Sequence, residues 1–409
     1  MHGNYRIRAP KIYLNLFSIL NVFGIIACFV NIKLGIVSAL LILIFVITHF
    51  NLKLFLNDFS FMLYLFCNLL SIVSYMWNQR PLSVFISAIS FNVIPSLLYY
   101  LGKYIAESNQ DGIVIDRLLS AVVNMMLIGM VAYLIFPSFY YEYIGASIDS
   151  YTYGLGEYRY GSFISSLALG SIGTICVILY FYRFENLTFW KKIIFLPTII
   201  INVILCMQRS AWVTTIISIC VCLIHKFKSN RKLRIRLTGI FIIFSFFMVA
   251  VIFNIDKILT PTQLMYFESR LNVLKISEMT SSRSDQWIQA WNVFCSNPIT
   301  GYGLGSCGQK AATLGLSIIT DGNHLRILAE IGFFGFFSFV IMNIKSIINS
   351  VKKKNYYFAF VIIICNMAAI GSPIFDQYYS SFAFWLILGL ASNLKSNVSK
   401  EMSEINGTK

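Results

Sequence analysis

Apolar runs, each about as long as a bilayer core is thick, recur from one end of the 409-residue chain to the other. About 20 apolar residues suffice for a helix to cross the hydrocarbon core. In lipid the backbone must satisfy its own hydrogen bonds, so such spans are helices. An outer-membrane barrel would instead show short segments of alternating hydropathy. The chain therefore reads as an all-α polytopic membrane protein. Only 12% of its residues are charged, against roughly a quarter in soluble domains.

About twelve transmembrane helices are expected, near 12–30, 34–50, 59–77, 82–101, 117–136, 161–182, 193–207, 211–225, 237–255, 325–344, 356–371 and 377–394. The interval 193–225 is interrupted only by "QRS" at Gln208–Ser210. One helix of that length would be about 50 Å long, against a core of roughly 30 Å. Two short spans with a turn at Arg209 fit better. Charge supports that reading. Most of the 32 Lys and Arg, including "KFKSNRKLRIR" at 226–236, "KKK" at 352–354 and Lys191–Lys192, then fall on the cytoplasmic side with both termini. The net charge of +15 is thus an orientation signal, and no nucleic-acid partner is expected. Arg6, Arg8 and Lys11 precede the first run without a small-residue cleavage site, as in an uncleaved first helix.

The whole chain, 1–409, is read as a single integral membrane domain with two long outer segments, 137–160 and 256–324. The larger carries "SRSDQWIQAWNVF" (282–294), a helix that Ser282 or Ser284 could cap, with Trp287, Ala290, Trp291 and Phe294 on one face. It ends in "SNPITGYGLGSCG", a turn-rich loop. Most of the nine cysteines sit in or beside spans, where they act as small hydrophobes. Cys295 and Cys307 share the outer loop and could form a disulfide if that side is oxidising. No Cys or His spacing suits zinc, so no structural metal is expected.

Chemistry gathers at the outer ends of the spans. Arg159, Arg209 and Arg283 lie on the face that otherwise avoids Lys and Arg. Singly, each could snorkel to headgroups. Together they suit an anionic ligand, because the planar guanidinium matches phosphate. Gly301, Gly303 and Gly305 of "GYGLG" are a flexible turn or a nest of backbone N–H groups for an anion. Tyr140, Tyr141 and Tyr143 fit an interfacial belt, whereas Tyr158 and Tyr160 could stack on sugars. In "TDGNHLRILAEIGFFG" (320–335) Asp321, His324, Arg326 and Glu330 open an apolar helix. Asp321 could cap the helix or act as a general base, and so could His324. Glu330 is too deep to meet a ligand and should pair with an arginine.

Three stretches resemble signatures of the O-antigen ligase and polymerase superfamily: "QRSAW", "SRSDQWIQAWNVFCSNPITGYGLGS" and "DGNHLRILAEIGFFG". Arg159 with Gly161 resembles the family's arginine–glycine motif. The most specific block is about residues 280–335. The resemblance implies a metal-independent, cofactor-free glycosyltransferase of GT-C-like type in the bacterial inner membrane. Its active site would be periplasmic, partly on the 256–324 loop between spans nine and ten. Its donor and acceptor would be oligosaccharides on undecaprenyl diphosphate, among membrane lipids, with a chain-length regulator and a flippase as further partners.

By that resemblance Arg159, Arg209 and Arg283 hold the diphosphate. Asp321 or His324 acts on the acceptor, and Glu330, Gly301 and Gly303 support. Ligases show His-Asn four residues before the motif's Leu. Here Asp321 fills that slot and His324 is displaced by three, which points to an O-antigen or capsular polymerase. A ligase acting on lipid A-core is the alternative, and a transporter or flippase of lipid-linked sugars the rival of another class. Mid-span charges, which a flippase should show, are nearly absent.

Overall fold

A computed structural model describes residues 42–44, 46–48, 52–77, 86, 88–145, 160–229, 261, 264–265, 276–308 and 322–394. Among the described residues there is no strand. Ten longer helices are found among the described residues: α1 Phe59–Trp77, α2 Ile94–Glu107, α3 Asp111–Ile135, α4 Ser166–Arg183, α5 Phe189–Leu205, α6 Arg209–Ser229, α7 Ile276–Ser296, α8 Asn323–Lys352, α9 Tyr356–Ala368 and α10 Tyr378–Ser392. Asp111–Ile135, Ser166–Asn186 and Asn323–Lys352 are long and apolar enough to cross a membrane. The expected spans 12–30 and 237–255 lie outside the described residues, as does most of 34–50.

The described residues up to Leu118 and from Ser282 onward form one compact unit, and those from Leu119 to Ser281 another. In the first, α2 and α10 pack backbone to backbone. A side chain at Gly102 would strike the Leu386 carbonyl, and one at Gly389 the Tyr99 carbonyl. Small residues permit this approach, which helices in lipid use where no hydrophobic effect drives them together. Beside that seam Tyr64, Phe339, Phe375, Phe384 and Trp385 form a ring-on-ring core. Asp58 joins Lys103 at 2.7 Å and the Tyr99 hydroxyl at 2.7 Å.

In the second unit α4 packs on α5 and α6. Gly173 admits Val203, and Gly170 admits Gln208 and Ala211. Thr174 Oγ1 lies 3.2 Å from Thr214 Oγ1 and 2.9 Å from Thr215 Oγ1, polar contacts of the kind that hold helices together in lipid. Ser165 caps α4 by accepting from the Ala168 N–H. The stretch 193–225 is two helices. The break runs over Cys206–Gln208, with Met207 at φ 52°, so Arg209 begins α6 rather than forming the turn. Trp212 Nε1 donates to the Val203 carbonyl at 2.8 Å, beside the Cys206 thiol at 3.1 Å, so a carbonyl at the end of α5 is satisfied by side chains.

Helix α7 starts at Ile276, ahead of the serines expected to cap it. Its seated face is Ala290, packed with Cys307 and Ala329 and flanked by Val293 and Leu325. Trp291 and Ile288 point outward. Cys295 is exposed and Cys307 is buried, and no disulfide joins them.

Candidate active site

The polar residues of 322–330 reach three other segments of the first unit: the end of α9, the turn before α10 and the glycine loop. Asn323 donates its N–H to the Ala369 carbonyl at 2.9 Å and accepts from the Phe375 N–H at 2.7 Å. His324 Nε2 lies 2.9 Å from the Asn366 carbonyl. A carbonyl can only accept, so Nε2 carries the proton and Nδ1 holds the lone pair. Nδ1 is buried and has no partner among the described residues. The imidazole is ringed by Phe336, Phe339 and Phe375.

Arg326 is buried and holds two carboxylates. Nη1 donates to Glu330 Oε2 at 2.7 Å, and Nη2 lies 2.6 Å from Asp376 Oδ1. Glu330 is the arginine-paired carboxylate anticipated in the sequence, and its partner is one helical turn away on its own helix. Its other oxygen, Oε1, accepts the Gly305 and Cys307 backbone N–H groups, each at 3.1 Å. The glycine loop is thus a nest around an anion, and the anion is the protein's own carboxylate. Asp376 ends the short 3-10 turn Ile374–Asp376 that precedes α10. Burial holds its carboxyl above the ordinary range, and Arg326 and Asn323 offset only part of that rise.

A break in α8 makes the nest possible. Gly332 sits at φ 72°, ψ −175° inside the helix, a region that only glycine occupies readily. The break releases backbone groups, and the loop takes them up. Tyr302 N–H donates to the Ala329 carbonyl at 2.8 Å, Gly303 N–H to the Glu330 carbonyl at 3.2 Å, and Phe333 N–H to the Pro298 carbonyl at 2.8 Å. Buried backbone groups need such partners, most of all in a membrane. A side chain at Gly301 would strike the Glu330 carbonyl, and one at Gly332 the Ile299 carbonyl.

The other expected site residues are distributed as follows. Arg209 is half-buried at the start of α6, in the second unit. Arg283 lies on α7 in the first unit, and its side chain is outside the described residues, as are Arg159, Tyr158 and Asp321 altogether. Tyr160 is 1% exposed. Its ring lies 4.9 Å from that of Tyr133 and 5.5 Å from that of Tyr140, and its hydroxyl donates to Asn202 Oδ1 at 2.7 Å. A sugar could stack there only if this tyrosine cluster opened. Sequence reasoning missed Asp376 and Asn323. The signal for Asp376 was a lone acid in "GSPIFDQYY" between two apolar runs. Asn323 carried none, since its role depends on where residues 369 and 375 come to lie.

Residues 193–340 match the family model Wzy_C, O-antigen ligase. That interval contains Arg209, Arg283, the glycine loop and the polar start of α8, whereas Arg159, Tyr158, Tyr160 and Asp376 lie beyond it. No curated protein matches the chain. Over this stretch the chain is similar to O-antigen ligases, which together with its apolar helices supports a membrane protein of the O-antigen ligase/polymerase type.

Proposed function

We propose that the protein is a polysaccharide polymerase of O-antigen or capsular type, working at the outer face of the bacterial inner membrane. The family match over 193–340 supports a ligase or polymerase alike, and the preference for a polymerase rests on Asp321 standing where ligases show His-Asn. The donor is a glycan chain on undecaprenyl diphosphate. A hydroxyl of a second lipid-linked repeat unit attacks its anomeric carbon, forming the new C–O bond as the C–O bond to the diphosphate breaks. Arg159, Arg209 and Arg283 stabilise negative charge developing on the departing diphosphate. Arg326 is a poor candidate for that task, because two carboxylates already neutralise it. Asp321 or His324 takes the acceptor proton. For His324 the tautomer favours this role, since Nδ1 holds a lone pair with no partner among the described residues.

A ligase reading is favoured by the family description itself. Gel analysis of surface polysaccharide from a deletion strain separates the two. Loss of a polymerase leaves core bearing one repeat unit, and loss of a ligase leaves bare core. A full-length ladder in the deletion strain overturns both readings.

A further inference from the structure

We propose that Arg326, Glu330 and Asp376 form a positioning lock that holds the glycine loop, the broken start of α8 and the turn before α10 as one wall of the site. None of the three is a substrate ligand in this scheme. Each acts through the backbone it fixes.

The argument starts from where the charges go. Glu330 Oε1 is filled by two loop N–H groups and Oε2 by Arg326. A carboxylate so occupied has little capacity left for a ligand. The guanidinium carries the connection onward to Asp376, on a different segment. Gly308 completes the junction. It sits at φ 87°, and a side chain there would press on Arg326 Cδ and Asp376 Oδ2. Three chain segments far apart in sequence therefore meet at one buried ion cluster. Breaking one member of such a cluster leaves an uncompensated buried charge, so the arrangement tolerates only small displacements.

Cys307 reports on the lock without any substrate. Its N–H is one of the two donors to Glu330, and it is buried, whereas Cys295 on α7 is exposed. Purified full-length protein in detergent would be alkylated with N-ethylmaleimide over time and the modified cysteines mapped by mass spectrometry. In the wild type Cys295 reacts and Cys307 is protected. Glu330→Ala should raise the Cys307 rate about tenfold or more, the factor that ~1.4 kcal/mol of lost local stability gives. Glu330→Gln keeps an oxygen for the loop N–H groups and should restore most of the protection. Cys176 and Cys365, buried elsewhere, should stay unmodified throughout. Unchanged protection of Cys307 in Glu330→Ala overturns the proposal. If Glu330→Ala exposes every cysteine, Asp376→Asn decides, because it leaves the nest and its carboxylate in place. A selective rise at Cys307 then supports the lock, and no rise overturns it.

The kinetic half rests on the transfer reading above. Glu330→Ala and Asp376→Asn should lower kcat about tenfold or more with the donor KM nearly unchanged, because neither side chain touches the donor, and Glu330→Gln should recover most of the loss. A raised donor KM at constant kcat would make them ligands and overturn positioning. If the wild type transfers no glycan at all, the function reading fails while the thiol result stands on its own.

Discussion

Glu330 and Arg326 lie one turn apart on α8 and meet at 2.7 Å, and through Glu330 Oε1 the same carboxylate gathers two N–H groups of a loop some 25 residues upstream. An i,i+4 ion pair on an exposed helix contributes a few tenths of a kcal/mol. This one is buried, and its geometry joins elements that no local propensity would bring together.

Gly332→Ala should be strongly destabilising, by about 3 kcal/mol or more, because its backbone conformation and the contact with the Ile299 carbonyl both exclude a side chain. Gly335→Ala should cost less. Its added methyl would press mainly on the movable Ile331 side chain. Thermal melting of the detergent-solubilised variants checks the order, and equal melting temperatures would contradict it.

Asp58 predicts a defined acid transition. Burial alone would raise its pKa. The Lys103 and Tyr99 hydrogen bonds, the Lys103 charge and the Phe61 N–H outweigh burial and leave it below the ordinary value. A depressed folded pKa contributes stability that is complete above the unfolded value of about 3.9 and is lost as pH falls through the folded one. Asp58→Asn should lower the melting temperature at pH 7 by removing one partner of a buried pair, about 3 kcal/mol. It should also flatten the pH dependence below about pH 4. A variant as acid-sensitive as the wild type would show that other carboxylates dominate.

For the arginines, Arg209→Ala and Arg283→Ala should each cut glycan transfer by about 100-fold or more while the protein still inserts. Lysine should restore little, since a point charge does not reproduce bidentate phosphate contacts. Transfer assayed with purified lipid-linked repeat units tests this. Full activity in both lysine variants would reduce the arginines to counter-charges.

Asp321→Asn and His324→Ala should differ. The position that handles the proton loses about two to four orders of magnitude in rate, and the other chiefly weakens acceptor binding. Turnover measured across pH distinguishes them. Near-wild-type rates in both would show that the start of α8 serves only to fasten segments together.

Topology offers an independent check. In a cysteine-free background, Lys275→Cys should react with an impermeant thiol reagent added from the periplasm, and Asn230→Cys should not. The reverse pattern would invert the orientation argued from the lysines and arginines.

The sequence by itself determined the class of the molecule and much of its helix inventory. Bilayer-length apolar runs leave the backbone no alternative to helices, and the interruption at Gln208–Ser210 marked a real break between α5 and α6. It also pointed to Glu330, because a carboxylate that deep in an apolar run is costly without a partner. The partner itself was not legible. Arg326 stands four residues before Glu330, yet nothing local says that its second nitrogen reaches Asp376 or that the anion in the glycine nest is Glu330. Those pairings arise because Gly332 breaks α8 and frees its backbone for the loop, and because α9 and α10 bring residues 366–376 back to the helix start. A local pattern encodes a helix and its charge. Which distant groups neutralise that charge depends on long-range packing, and only the tertiary structure decided it.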